Sequence, residues 1–190
     1  MPILMPRPGR KQLPIPEVRL ASSAPPVIRP AKVSDVDGMS ALINQYAAAN
    51  VMLARGPQYL YEHIQDYMVI VAQEAANGAE TVIACGSVHV LWADLAEIRS
   101  IAVHPGCERM GFGNQIVSAL VGRCRLLGIP RVFVFTLADQ FFYKCGFREF
   151  DRELLPPAVW VECSKCPKFY RCDEICMALG IDGAEQEMSA

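Results

Sequence analysis

Gly111 and Gly113 sit two apart in CERMGFGNQ, between the strand-like run AEIRSIAVHP and the helix-like run NQIVSALVGRCRLLG. A helix N-terminus carries N–H groups with no partner inside the helix, and a partial positive charge. Glycines there admit a phosphate to the backbone with no Cβ in the way. The pair predicts either a phosphate or pyrophosphate cradle or, with no ligand, a tight strand-to-helix connection. Two common phosphate binders do not fit. A dinucleotide fingerprint needs a third glycine where Ile116 stands, and a P-loop needs Gly-Lys-Ser/Thr.

A second group with chemistry in its spacing is Cys163, Cys166, Cys172 and Cys176, in CSKCPKFYRCDEIC. C-x2-C followed by C-x3-C suggests a tetrahedral thiolate site for structural zinc. The alternative is a set of reduced thiols packing a C-terminal cap, because the gap between the pairs is shorter than zinc sites usually have. Four protein ligands would leave no open position, so zinc there would not be catalytic.

These residues need a scaffold. VIRPA (27–31) reads as a short strand. Ser34 and Asp37 have the spacing of a capping box, and Met39, Leu42, Ile43 and Tyr46 form one helical face after it. Pro57 opens a second helix with Leu60, Ile64 and Tyr67 as its stripe. Strands follow at 68–73, 81–92 and 96–105, the first two joined by a turn at NGAE (77–80). The helix after the glycines has Ile116, Val117, Leu120, Val121, Cys124 and Leu127 on one face, and Gly128 with Pro130 ends it. RVFVFT (131–136) reads as a buried strand, ADQFFYKCG as a short helix and FREFD as a last strand. The whole is a mixed α/β domain, a central sheet with helices packed on it.

At 190 residues and 52% hydrophobic residues, the chain supports one domain with a full core. A net charge of −2 gives no electrostatic reason to expect nucleic acid or an anionic membrane. No apolar run reaches the ~18 residues of a spanning helix. The first 26 residues hold seven of the 14 prolines and read as a disordered tail, 1–26. A transit peptide is the alternative, against which the prolines argue. With no export signal apparent, the eight cysteines are expected as thiols in a cytoplasm. Cys85, Cys107, Cys124 and Cys145 read as small core residues.

The order of elements, the strand ending in AVHP, the Gly-x-Gly loop and FFYKCGF after the next strand together resemble the GNAT acetyltransferase superfamily, over roughly residues 27–155. AEIRSIAVHP with the later LPPAVWVECSKCPKFYRCDE resembles more narrowly the short, single-domain N-acetylglutamate synthases of arginine biosynthesis. The resemblance implies a GNAT-like mixed sheet with helices on both faces and a Cys-rich extension, 156–190, packed on the domain. It implies acetyl-CoA as cosubstrate and L-glutamate as the acceptor, and is compatible with a homodimer. It places acetyl-CoA on Ile101, Ala102 and Val103 of the strand and on Arg109, Met110, Gly111, Phe112, Gly113 and Asn114 of the loop. Glu108 stands where the superfamily has Gln or Arg, and its charge opposes a pyrophosphate. Phe142 stands at the superfamily's general-acid tyrosine, with Tyr143 one residue later, about 100° round a helix.

Transfer to an amine needs a group that takes a proton from the acceptor ammonium. The resemblance implies Glu97 for that role, with Tyr143 as the candidate acid. A dicarboxylate acceptor calls for arginines, whose forks bind carboxylates in bidentate fashion. Arg99 shares strand parity with Glu97, so both emerge on one face. Arg55 stands where the resembling family has an arginine that contacts substrate. Two readings compete: a GNAT enzyme for another amine, and a metal-stapled interaction module without catalysis.

Overall fold

The computed structural model describes residues 24–73 and 78–182. One mixed sheet of seven strands has the order β1-β2-β3-β4-β5-β7-β6. The strands are β1 (Val27–Pro30), β2 (Tyr67–Gln73), β3 (Glu80–Trp92), β4 (Leu95–Val103), β5 (Arg131–Thr136), β6 (Arg148–Glu149) and β7 (Ile175–Gly180). Helices α1 (Val36–Ala48) and α2 (Pro57–Glu62) follow β1. Helix α3 (Phe112–Leu126) joins β4 to β5, α4 (Asp139–Lys144) follows β5, and α5 (Trp160–Cys163) lies in the Cys-rich segment. Among the described residues, no helix is long and apolar enough to cross a membrane.

The expected mixed sheet with helices on it is present, and the apolar patterns explain its two faces. Ile116, Val117, Leu120, Val121 and Cys124 of α3 pack with Val88, Ala96 and Ile98 on one face. Val36, Met39, Leu42 and Ile43 of α1 and Leu60 of α2 pack with Tyr67, Val69 and Val71 on the other. A third cluster, Leu95, Phe133, Leu155, Val159, Cys176 and Ala178, involves the C-terminal segment.

Four details differ from the sequence reading. The Ser34–Asp37 capping box does not form; instead Asp35 accepts the Lys32 N–H at 2.6 Å and pairs with Arg29 at 2.7 Å, tying β1 to the start of α1. Leu127 is exposed, because α3 ends at Leu126 and the chain turns through Gly128 at φ +72°. Tyr67 is buried, but as the first residue of β2, after a 3-10 turn over Ile64–Asp66 closes α2. Residues 175–180, expected in an extension lying on the domain, are a strand inside the sheet: β7 pairs with all of β5 and separates it from β6. The turn at 77–80 begins, and most of the proline-rich segment lies, outside the described residues.

What positions the site is a break in the sheet. β4 and β5 run parallel but pair only from Leu95↔Arg131 to Glu97↔Phe133. Beyond Glu97 the two strands part, and among the described residues β4 continues to Val103 paired with β3 alone.

Candidate active site

The parted end of β4 leads directly into the Gly-x-Gly loop. Ser100 has φ +55°, a left-handed residue at the point where the β3–β4 register shifts. Such a bulge redirects a strand and re-aims its side chains. After it, Ile101–Val103 present backbone groups toward the gap between β4 and β5. The chain then crosses a 3-10 turn, Pro105–Cys107, and reaches Gly111, which caps α3 at φ +86°. The first helical hydrogen bond is Gln115 N–H to Gly111 O, so the N–H groups of Phe112, Gly113 and Asn114 lie ahead of it. A Cβ on Gly113 would come within 3.1 Å of the Phe141 ring and 3.7 Å of Val103. Arg109, Met110 and Gly111 are exposed, and Phe112 is buried as the helix's anchor. The donor set suits a pyrophosphate, and the strand edge suits an amide-bearing arm. Glu108, whose charge would oppose a phosphate, is 3.0 Å from the Tyr46 hydroxyl, which itself sits 2.5 Å from the Val103 carbonyl. Helix α1 therefore holds this carboxylate.

Where the strands part, five polar side chains share one face of the sheet. Ser87 lies opposite Arg99 and His89 opposite Glu97, and Tyr67 of β2 lies opposite Ser87. Ser87, His89 and Glu97 are buried, Glu97 at 7% exposure. Arg99 Nη2 donates to Glu97 Oε2 at 2.5 Å. Burial raises the Glu97 pKa above the ordinary carboxylate value, with Arg99 pulling the other way. Such a group takes up a proton more readily than a surface glutamate, and Arg99 keeps its ionised form accessible. Burial, with Arg99 beside it, pushes His89 down to about 3, so its imidazole is neutral.

The walls come from distant segments. Arg55 is buried, its guanidinium 4.1 Å over the Tyr59 ring, and its Nη1 donates to Glu162 of α5 at 3.0 Å. Asn44 of α1 fixes the Arg55 backbone by donating to its carbonyl and accepting its N–H. Burial would raise the Glu162 pKa, but Lys165 and Arg55 bring it to about 2, a fixed anion. Arg55 and Tyr59 precede His63 at spacings of four, and the Tyr59 and His63 rings stack at 4.3 Å. The structure thus brings together the expected Glu97, Arg99 and Arg55.

Two expectations do not hold in this arrangement. Tyr143 donates to Glu149 Oε1 at 2.5 Å, and that bond raises the phenol's pKa, opposite to what an acid toward a thiolate needs. Among the described residues, no three of Cys163, Cys166, Cys172 and Cys176 bring their sulfurs within 4.8 Å of one another. Cys176 is drawn into the sheet by β7, while Cys166 accepts the Lys168 N–H and Cys172 faces Glu174. Burial pushes Cys163 and Cys176 up to about 11 and about 12, as packed thiols. The thiolate zinc site is corrected to the packing role. Sequence reasoning missed Tyr59, Tyr67, Ser87, His89 and Glu162. The alternation Cys85, Ser87, His89 within an apolar run was the available signal for two of them.

Residues 40–147 match the model of the acetyltransferase (GNAT) family. An uncharacterized N-acetyltransferase of Chlorobaculum tepidum is 34% identical over 150 residues, spanning 79% of this chain and 93% of the relative. An amino-acid acetyltransferase of Mycobacterium tuberculosis is 35% identical over 160 residues, spanning 84% and 83%. Among solved structures, Rv2747 from Mycobacterium tuberculosis, in complex with CoA and NLQ, superposes with TM-score 0.68 at 32% identity over 82% of this chain and 99% of that one. The N-acetylglutamate synthase from Neisseria gonorrhoeae shares the fold at TM-score 0.71 and 22% identity, over 84% of this chain and 36% of that one. A family match across more than half of the chain, and relatives above 30% identity over most of their own length, make this protein a member of the GNAT acetyltransferase family, an acetyl-CoA-dependent N-acetyltransferase.

Proposed function

We propose that the protein transfers the acetyl group of acetyl-CoA to the α-amine of L-glutamate, the first step of arginine biosynthesis. The observation that carries this reading is a set of buried donors. Arg55 Nε is buried with no hydrogen-bond partner among the described residues, and Arg99 Nε, Tyr59 Oη and Tyr67 Oη are buried without a hydrogen bond of good geometry, Arg99 lying beside Tyr59 and Tyr67 beside Ser87 and Ser100. A buried donor left unpaired costs about 1–3 kcal/mol, and acceptor oxygens remove that cost. A dicarboxylate brings four such oxygens; a polyamine would bring only more donors. The Mycobacterium tuberculosis amino-acid acetyltransferase supports an amino acid as acceptor.

The acid–base work falls to Glu97. Its carboxylate takes a proton from the acceptor ammonium, and the freed amine attacks the thioester carbonyl. Backbone N–H groups of Ile101–Val103, beyond the bulge, would hold the developing oxyanion. Collapse expels the CoA thiolate, whose conjugate thiol has a pKa of only ~8.5, so no strong acid is required. Tyr143 stays with Glu149 in this scheme. Arg55 and Arg99 hold carboxylates, the first by exchanging its bond to Glu162.

Thiol release measured with acetyl-CoA and a panel of amino acids and polyamines tests the acceptor. Glutamate should be the best substrate, and Arg55→Ala should raise its KM at least tenfold while leaving the KM for acetyl-CoA near normal. Equal use of glutamine and glutamate would show that the side-chain carboxylate is not read. A polyamine as best acceptor would replace the proposal.

A further inference from the structure

We propose that His63, Asp66 and His89 form a binding site for a first-row divalent metal ion of the zinc type, next to the acceptor pocket and separate from the cysteines. His63 Nδ1 lies 3.2 Å and His89 Nδ1 3.3 Å from the same oxygen, Asp66 Oδ2. One ligand atom from each of the three residues can be chosen so that all lie within 4.8 Å of one another. For a tetrahedral ion with bonds of about 2.0–2.1 Å, neighbouring ligand atoms are about 3.3 Å apart, which matches both measured edges.

The hydrogen bonds around Ser87 orient the buried imidazole. Ser87 Oγ donates its single proton to the Arg99 carbonyl at 3.2 Å. His89 Nε2 is 3.0 Å from the same Oγ, where the ring nitrogen can serve as the donor. With Nε2 bound to Ser87, Nδ1 is the ring atom that faces Asp66 and is placed to ligate a cation between them. Ser87 acts as the outer partner that fixes a ligand's tautomer, as metal-binding histidines commonly require.

The local fold explains the convergence. His63 and Asp66 are three apart across a 3-10 turn, which eclipses side chains at that spacing. β3 brings His89 up from the sheet, and the Tyr59 ring braces His63. His89 is buried, while His63 and Asp66 are about one-third exposed, which leaves a route from solvent. Two imidazoles and one carboxylate suit zinc and its neighbours rather than calcium or magnesium, and three protein ligands leave an open position.

The test uses the full-length reduced protein, freed of metal by a chelator, and Zn2+ in competition with a chromophoric chelator. One equivalent should bind, and His63→Ala and Asp66→Asn should each weaken it at least tenfold. Co2+ should give visible bands without thiolate charge transfer. Nitrogen-detected histidine NMR of the unmutated protein gives a readout that needs no variant: Zn2+ should shift Nδ1 of His63 and His89. Binding that survives both substitutions, Co2+ spectra dominated by sulfur, unmoved histidine nitrogens or no binding would each overturn the site. The outcome does not depend on which amine accepts the acetyl group.

Discussion

Glu97 is where burial and charge compete most directly. It is nearly inaccessible, raised in pKa by burial, and still bound to Arg99. Replacing it by Gln keeps the shape and removes the proton acceptor. Glu97→Gln should lower kcat by ~10²–10⁴-fold while calorimetry shows acetyl-CoA binding retained. A variant with near-normal kcat at neutral pH would end the assignment as base. Glu97 came from the resemblance, and Arg99 was legible beside it because strand parity puts the two on one face. Arg55 came from the resemblance. Their partners were hidden for a physical reason: Glu162 reaches Arg55 across 107 positions, and Asp66 reaches His89 only once α2, the following turn and β3 are packed. Tyr143 shows the converse, since its neighbour Glu149 was in plain view but its rotamer was not.

At the scale of elements, the β4–loop–α3 unit was read almost whole. Its strand, its glycines and the apolar face of its helix each follow from local pattern. β7 was not read, because Ile175–Gly180 follows a cluster of charges and cysteines that drew attention to ligation. Nothing local reveals that β5 needs a second neighbour on the side away from β4. The unit makes a sharp prediction at Gly113. A branched side chain there meets the Phe141 ring as well as any phosphate at the helix start. Gly113→Val should weaken acetyl-CoA binding more than tenfold by calorimetry, in a protein whose circular dichroism remains native. Unchanged affinity in that folded variant would remove the helix start from the cofactor site.

Across the whole molecule, the Arg29–Asp35 pair fastens β1 to α1, and Arg29 also reaches Glu80 of β3 at 2.8 Å. Burial would raise the Asp35 pKa, but Arg29 and the Lys32 N–H overcome it and leave it lowered. A lowered acid pKa stabilises the fold above the unfolded value of ~3.9, and that stability is lost as pH falls through the folded value. Asp35→Asn should therefore lower the melting temperature at neutral pH. The gap between variant and wild type should shrink as pH drops below ~3.9, as scanning calorimetry would show; a gap independent of pH would mean that packing, not charge, is responsible. The position of β7 also has a consequence for the order of events during synthesis. A ribosome releases β5 and β6 well before residues 175–180, yet among the described residues β6 attaches to the sheet only through β7. Until that strand arrives, the nascent chain holds an open sheet edge at β5, the kind of surface that recruits chaperones or pairs with a neighbouring chain.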